Sequence, residues 1–233
     1  MLENCKLSNI LFLDVETAPI VYKYNDLPKS TRSLWDAKFK FQTTETAENQ
    51  YKKAGIYAEF AKVICISVGF FNDKEFRIKS FFGDDEKQIL KDFSALLGKH
   101  FNRKEHLLCA HNGKEFDFPF LCRRMLINEL KLPKALNIAG KKPWEVQHID
   151  TMELWKFGDY KHFTSLNLLA DIFNIPTPKD DIDGADVARV YWEEKNIKRI
   201  VTYCQKDVLT VARLLLRFMG ENSIDDKNVV ITK

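Results

Sequence analysis

Residues 10–19 read ILFLDVETAP, an apolar run that closes on two carboxylates one residue apart, and that closure restricts the fold more than any other stretch. In a strand, residues two apart project to one side, so Asp14 and Glu16 share the face that Ile10 and Phe12 occupy just upstream. One face must therefore be core at one end and hold two adjacent negative charges at the other. Like charges side by side are costly unless a cation lies between them, and divalent metals take carboxylate oxygens. A strand that merely reaches the surface also reads this way, and a three-residue pattern recurs by chance. The remaining sequence has to separate the two.

Apolar alternation marks strands at 10–16, 62–71 and 75–82, the last two joined by an Asn72-Asp73 turn. Residues 84–101 place Ile89, Leu90, Phe93, Leu96, Leu97 and Phe101 at helical spacing behind an acidic first turn. A fourth strand, HLLCAHN at 106–112, leads straight into a helix with Pro119 in its first turn, and EVQHIDTMELW is a fifth strand candidate. Helices follow at 165–175, 185–196 and 197–219. This order predicts an α/β fold, a mixed five-stranded sheet whose first three strands are antiparallel, with helices packed on both faces. Residues 21–61, rich in Lys, Thr and Glu with scattered aromatics, break the rhythm and read as a helical insertion. The expectation is one domain over 1–220 and a polar tail over 221–233.

Composition removes several classes. The chain of 233 residues is long enough for a full core, and its 45% hydrophobic and 30% charged fractions are those of a globular protein. No apolar run reaches membrane-span length, and the first nine residues, MLENCKLSN, lack the pattern of a signal peptide. The five cysteines are odd in number with no C-x-x-C spacing, which suggests buried reduced thiols and gives no hint of zinc. A cytoplasmic protein with no membrane partner is expected. The net charge of +3 permits a nucleic-acid partner without requiring one.

Two further acids join the opening pair. In NGKEFDFPFL, Asp117 falls where a strand hands over to a helix, the kind of junction where ligands bind. In IVTYCQKDVLTV, Tyr203 and Asp207 are four apart and share a helix face, with Ile200, Val201, Val208, Val211 and Leu215 around them to pack onto the sheet.

D-x-E early, N-x-x-x-F-D in the middle and Y-x-x-x-D late together resemble the DEDD superfamily of 3′-to-5′ exonucleases, whose fold is ribonuclease H-like. The residue five before Asp207 is Thr202 and the residue four before is Tyr203, which matches the tyrosine branch. The stretches AKVICISVGFF, SLNLLADIFNIP and DGADVARVYW look most like stand-alone bacterial proteins similar to the proofreading exonuclease domain of family B DNA polymerases. The resemblance covers residues 10–219. It implies two Mg²⁺ or Mn²⁺ ions about 4 Å apart, held by Asp14, Glu16, Asp117 and Asp207 with Asp14 bridging. It also implies a water oriented by Tyr203 and release of nucleoside 5′-monophosphates from single-stranded nucleic acid, DNA in preference to RNA. Protein partners are not implied. An RNA-trimming exonuclease and a non-catalytic nucleic-acid-binding module are the alternatives. The latter would be expected to have lost a carboxylate, and all four are present.

Substrate contacts are expected from Thr17, Asn112, Phe116, Arg123 and Arg124. Phe116 suits stacking on a terminal base but equally a core position. Between 123 and 142, Arg123, Arg124, Lys131, Lys134, Lys141 and Lys142 face a single acid, Glu129, either to track phosphates or as a solvated face. KDDIDGAD departs from a calcium loop at Lys179 and reads as a turn and helix cap. Asp150 reads as structural, and His111 is the one histidine near the proposed centre.

Overall fold

The computed structural model describes residues 5–41, 45–159, 163–176 and 182–232. Strands β1 (Ile10–Pro19), β2 (Ala61–Asn72), β3 (Glu75–Phe82), β4 (Leu107–Ala110), β5 (Ile149–Asp150) and β6 (Val229–Thr232) make one sheet in the order β5-β4-β1-β2-β3-β6. β1, β2 and β3 are antiparallel neighbours, as expected, while β4, β5 and β6 add parallel pairings. The helices are α1 (Lys29–Phe39), α2 (Ala47–Tyr51), α3 (Glu86–His100), α4 (Asp117–Ile127), α5 (Thr151–Lys156), α6 (Leu166–Ile172), α7 (Val187–Arg189) and α8 (Ile197–Met219).

Strand alternation sorts β1 cleanly. Leu11, Leu13 and Val15 pack with Ile89 and Phe93 of α3 and Leu121 and Met125 of α4 on one face. Ile10 and Phe12 meet Val208, Val211 and Leu215 of α8 on the other, so helices cover both faces and the side of Asp14 and Glu16 is the α8 side. The approach of α8 is tight at Gly69, which is paired with Phe12. A Cβ there would lie 2.4 Å from the Phe76 ring and 2.7 Å from Val208 Cγ1.

Four expectations need correction. The sheet has six strands, not five, because the tail is not simply polar: its β-branched end, Val229–Thr232, pairs with β3 and covers that edge. Arg213 of α8 anchors the approach by donating to the Ile224 carbonyl at 3.0 Å and to Asp226. The fifth strand is only two residues long, since Asp150 accepts from Met152 N and Glu153 N and starts α5 at once. The helix expected at 165–175 ends at Ile172, with Asn174 in a left-handed conformation just before Pro176. The helix expected at 185–196 is a single turn, α7, running into a π-helical turn over Val190–Glu194 that stops at left-handed Lys195.

Between β1 and β2 the described chain carries α1, α2 and two short 3-10 turns. Trp35, Phe39, Tyr51 and Phe60 form an aromatic core of their own, with the Trp35 indole donating to Ala47 O at 2.9 Å. It is tied back to β1 where the Thr17 hydroxyl donates to Gly55 O at 2.7 Å. No described helix is long and apolar enough to cross a membrane.

Gly69→Ala should lower stability by about 1–3 kcal/mol, because neither a buried ring nor a core valine can move away cheaply. Gly98→Ala on exposed α3, where nothing lies within 4 Å of the added Cβ, should instead be neutral or stabilise by up to about 1 kcal/mol. Urea unfolding curves with unchanged slope would measure both shifts.

Candidate active site

Three parts of the chain converge at the carboxyl end of β1. The strand itself supplies Asp14 and Glu16, with a bulge between Glu16 and Thr17 that shifts the register to β2 by one residue. β1 pairs with β4 only over Ile10–Phe12, after which the β4 chain leaves the sheet. Asp150 stabilises that departure: its carboxylate accepts from Asn112 N at 2.9 Å and Lys114 N at 3.0 Å while also capping α5. The turn runs through left-handed Asn112 and closes with Phe118 N donating to Gly113 O, which places Asp117 at the first position of α4. Helix α8 brings Tyr203 and Asp207, one turn apart and hydrogen-bonded to each other.

The electrostatics of this convergence are unbalanced. Asp117 is 4% exposed and Glu16 7%, yet the neighbours that perturb Glu16 are acids and a thiol: Asp14, Asp207, Cys65 and Asp117. Burial first, then these charges, holds Glu16 well above the ordinary carboxylate range. Asp117 is raised likewise by burial and then by Asp14. Burial pushes Asp14 up to about 6, although the Cys204 thiol and the Val15 N–H resist the shift. Asp14 Oδ2 is buried without a hydrogen-bond partner. Tyr203 is raised by burial and then by the charges of Asp207, Glu16 and Asp14, so its phenol keeps its proton and can donate. Carboxylates crowded this closely form a receptacle for a positive ion. Their hard oxygen chemistry suits Mg²⁺ or Mn²⁺.

The expected site residues separate into two groups. Asp14, Glu16, Asp117, Tyr203 and Asp207 are near enough to perturb one another's protonation. Asn112 stands at the rim of the turn with Oδ1 buried and unpartnered. Phe116 is half-buried against the α3/α4 core, 5.4 Å from the Phe120 ring, and Thr17 is engaged with Gly55. Arg123 is exposed on α4. Arg124 has to be withdrawn as a substrate contact, being 5% exposed and fully used inside. Its guanidinium grips Glu86 at 2.5 and 2.8 Å and donates to Ala58 O at 2.8 Å, while Val63 N and Asn128 donate to the same carboxylate. This buried network fastens α4 to α3 and β2.

Cys204 had no signal in the sequence. Its thiol donates to Asp14 O at 3.4 Å, and one ligand atom each from Asp14, Glu16 and Cys204 lie within 4.8 Å of one another. Only the neighbouring strands reveal that position. His111 is structural: its ring nitrogens meet Thr151 Oγ1 and Thr164 O, both at 2.9 Å. In KDDIDGAD, Asp183 accepts from Ala185 N and Asp186 N as a turn, whereas Lys179 lies outside the described residues.

Comparison with known proteins places the chain in a family. Residues 56–229, most of the chain, match the family described as predicted 3′-5′ exonucleases related to the exonuclease domain of PolB. That span holds Asp117, Tyr203 and Asp207 and begins after Asp14 and Glu16. The chain is 22% identical over 135 residues to a DNA polymerase of Pyrococcus glycovorans, a match covering 52% of this chain and 17% of the polymerase. The family B DNA polymerase of the hyperthermophilic archaeon Pyrobaculum calidifontis shares the fold, with a TM-score of 0.50 at 16% identity over 90% of this chain and 25% of that one. The likeness is consistent with a ribonuclease H-like α/β fold.

The metal-free site should make stability fall with rising pH. Asp14 moves from 3.8 to about 6 on folding, so the folded chain holds a proton that the unfolded chain has released between those values. The stability tied to that proton is fully present below 3.8 and is lost as pH rises through about 6, with Glu16 and Asp117 extending the loss upward. In chelator, the melting temperature should therefore be lower at pH 8 than at pH 5 by more in the wild type than in Asp14→Asn. Millimolar Mn²⁺ should restore the wild type at pH 8 and do little for the variant.

Proposed function

The chain belongs to the family of predicted 3′-5′ exonucleases related to the exonuclease domain of PolB, and from that premise we propose that it is a metal-dependent 3′-to-5′ exonuclease on single-stranded DNA. The observation that carries the reading is the crowding of buried Glu16 and Asp117 with half-buried Asp14, joined by Asp207 and Tyr203 from α8. On this reading the chain from β1 through β6 acts as one exonuclease unit carrying the 21–61 insertion. The polymerase relatives are far longer than the span they share with this chain, so the activity proposed is that of the exonuclease alone.

Asp14, Glu16, Asp117 and Asp207 would hold two divalent ions, Mg²⁺ or Mn²⁺. When bound, such ions supply the positive charge that activates water and offsets the charge growing on the phosphate and the leaving 3′ oxygen. The chain's own residues do the positioning. Asp117 is fixed at the start of α4 by the turn that Asp150 locks, and β1 fixes Asp14 and Glu16 through its two packed faces. Tyr203, kept neutral, orients the attacking water through its hydroxyl, with Asp207 as its hydrogen-bond partner. Asn112, in the left-handed turn that leads to Asp117, is the polar residue proposed to meet the terminal sugar or base. Phe116 offers a ring edge beside Asp117 for the terminal base, and Arg123 an exposed cation on the same helix.

The 3′-5′ direction and the DNA preference are tested together by digesting matched 3′- and 5′-labelled DNA and RNA oligonucleotides with Mg²⁺, Mn²⁺ or chelator. A ladder shortening from the 3′ end of DNA is expected, silent in chelator. Cleavage of RNA alone would favour the ribonuclease reading, and binding with no cleavage the non-catalytic one. Asp14→Ala and Asp207→Ala should abolish turnover while remaining folded by circular dichroism. Tyr203→Phe should lose about 10²-fold in kcat with little change in KM, the lower end of what positioned proton-handling groups contribute.

A further inference from the structure

At the amino end of β4, opposite the carboxylate site, lies a cleft of about 160 Å³ whose charge has one sign. Among the described residues, Arg103, Lys104, Lys134 and Lys141 line it, together with His106 and His148, and no carboxylate does. Two acids stand beside this wall: Glu105 reaches Arg103 at 3.9 Å with both side chains more than half exposed, and Glu145 accepts from Lys142 N at 2.8 Å, so both are exposed pairings that neutralise little. The floor is rigid. His148 is 8% exposed, accepts from Leu108 N through Nδ1 at 3.2 Å, and contacts Ala135 O through Nε2 at 2.8 Å. Beside the cleft Trp144 is 71% exposed, with the Lys142 ammonium 5.1 Å from its ring centre.

Cations that outnumber the acids around a fixed floor attract a polyanion, and an exposed indole at the margin offers a base a stacking surface. That pairing suits a single-stranded nucleic acid and not a duplex, whose bases are already stacked. β4 connects the two places: Leu107 lines the cleft, and the same strand delivers Asn112 and Asp117 to the carboxylates. From His106 to Asn112 an extended chain spans roughly 20 Å at about 3.3 Å per residue. We propose that this cleft is a second nucleic-acid site, which holds phosphates of the substrate strand several nucleotides from the end being cut and stacks a base on Trp144. The inference rests on the exonuclease reading for the identity of the polyanion, and not for the binding itself.

The test measures binding and cleavage separately on the full chain. Anisotropy of a labelled 20-nucleotide oligo(dT) in chelator, over a range of salt, reports binding without chemistry. Lys134→Ala/Lys141→Ala should bind about tenfold more weakly at 0.1 M salt and lower the slope of log K against log salt by about 1.4, two phosphates at about 0.7 each. Trp144→Ala should weaken binding about fivefold or more with the slope unchanged. All three substitutions are on exposed side chains, and melting temperatures should stay at the wild-type value. With Mn²⁺, the double variant should cut a dinucleotide at the wild-type rate and raise KM only for the long strand.

Wild-type affinity and salt slope in the double variant, or no binding of the oligonucleotide by the wild type, would overturn the proposal. A wild type that binds through these lysines yet never cleaves would leave the cleft standing and remove the exonuclease reading instead. Cleavage of the dinucleotide with lysine-independent binding would do the reverse.

Discussion

Helix α8 must lie almost against the backbone of β2 for the carboxylates to meet, and Gly69 is where that closeness is decided. With no side chain at Gly69, Phe76 and Val208 fill the space and the helix settles onto β1 and β2. One turn from Val208, the helix carries Cys204 to the Asp14 carbonyl and sets Tyr203 and Asp207 beside Glu16. The same contact that closes the hydrophobic core thus assembles the charged site. Packing free energy of the long α8 interface is what allows several acids to be held close together, since their mutual interaction without a cation opposes folding.

The two ends of β4 then acquire opposite characters. Its carboxyl end opens into the Asp150-locked turn and the acidic cluster, while its amino end stands in a cleft lined by Arg103, Lys104, Lys134 and Lys141. A polyanion is repelled by the first until divalent ions occupy it and is attracted by the second throughout. On the proposed function, that division would make metal the gate for chemistry and lysine the handle for substrate.

Much of this was legible because strand periodicity is local. Ile10, Phe12, Asp14 and Glu16 announce a common face from spacing alone, and Tyr203 with Asp207 does the same for a helix. Arg124 misled because its partner, Glu86, is 38 residues away in sequence, and a count of basic residues cannot tell a buried ion pair from a solvated one. The tail misled because polar residues precede a run of only four, Val229–Thr232, whose role depends on the open edge of β3. Cys204 was invisible since its neighbours come from other strands. The two-residue β5 was overread because a strand ending in Asp and a helix beginning with the same Asp share one sequence pattern.

These acids are proposed to form one receptacle for divalent cations. Calorimetric titration of Mn²⁺ into the metal-free protein at pH 8, with electron paramagnetic resonance on the loaded sample, tests it most directly. Two saturable ions per chain with mutually coupled spins, both lost in Asp14→Asn, is the predicted result. No saturable binding, or binding that Asp14→Asn leaves unchanged, would contradict it.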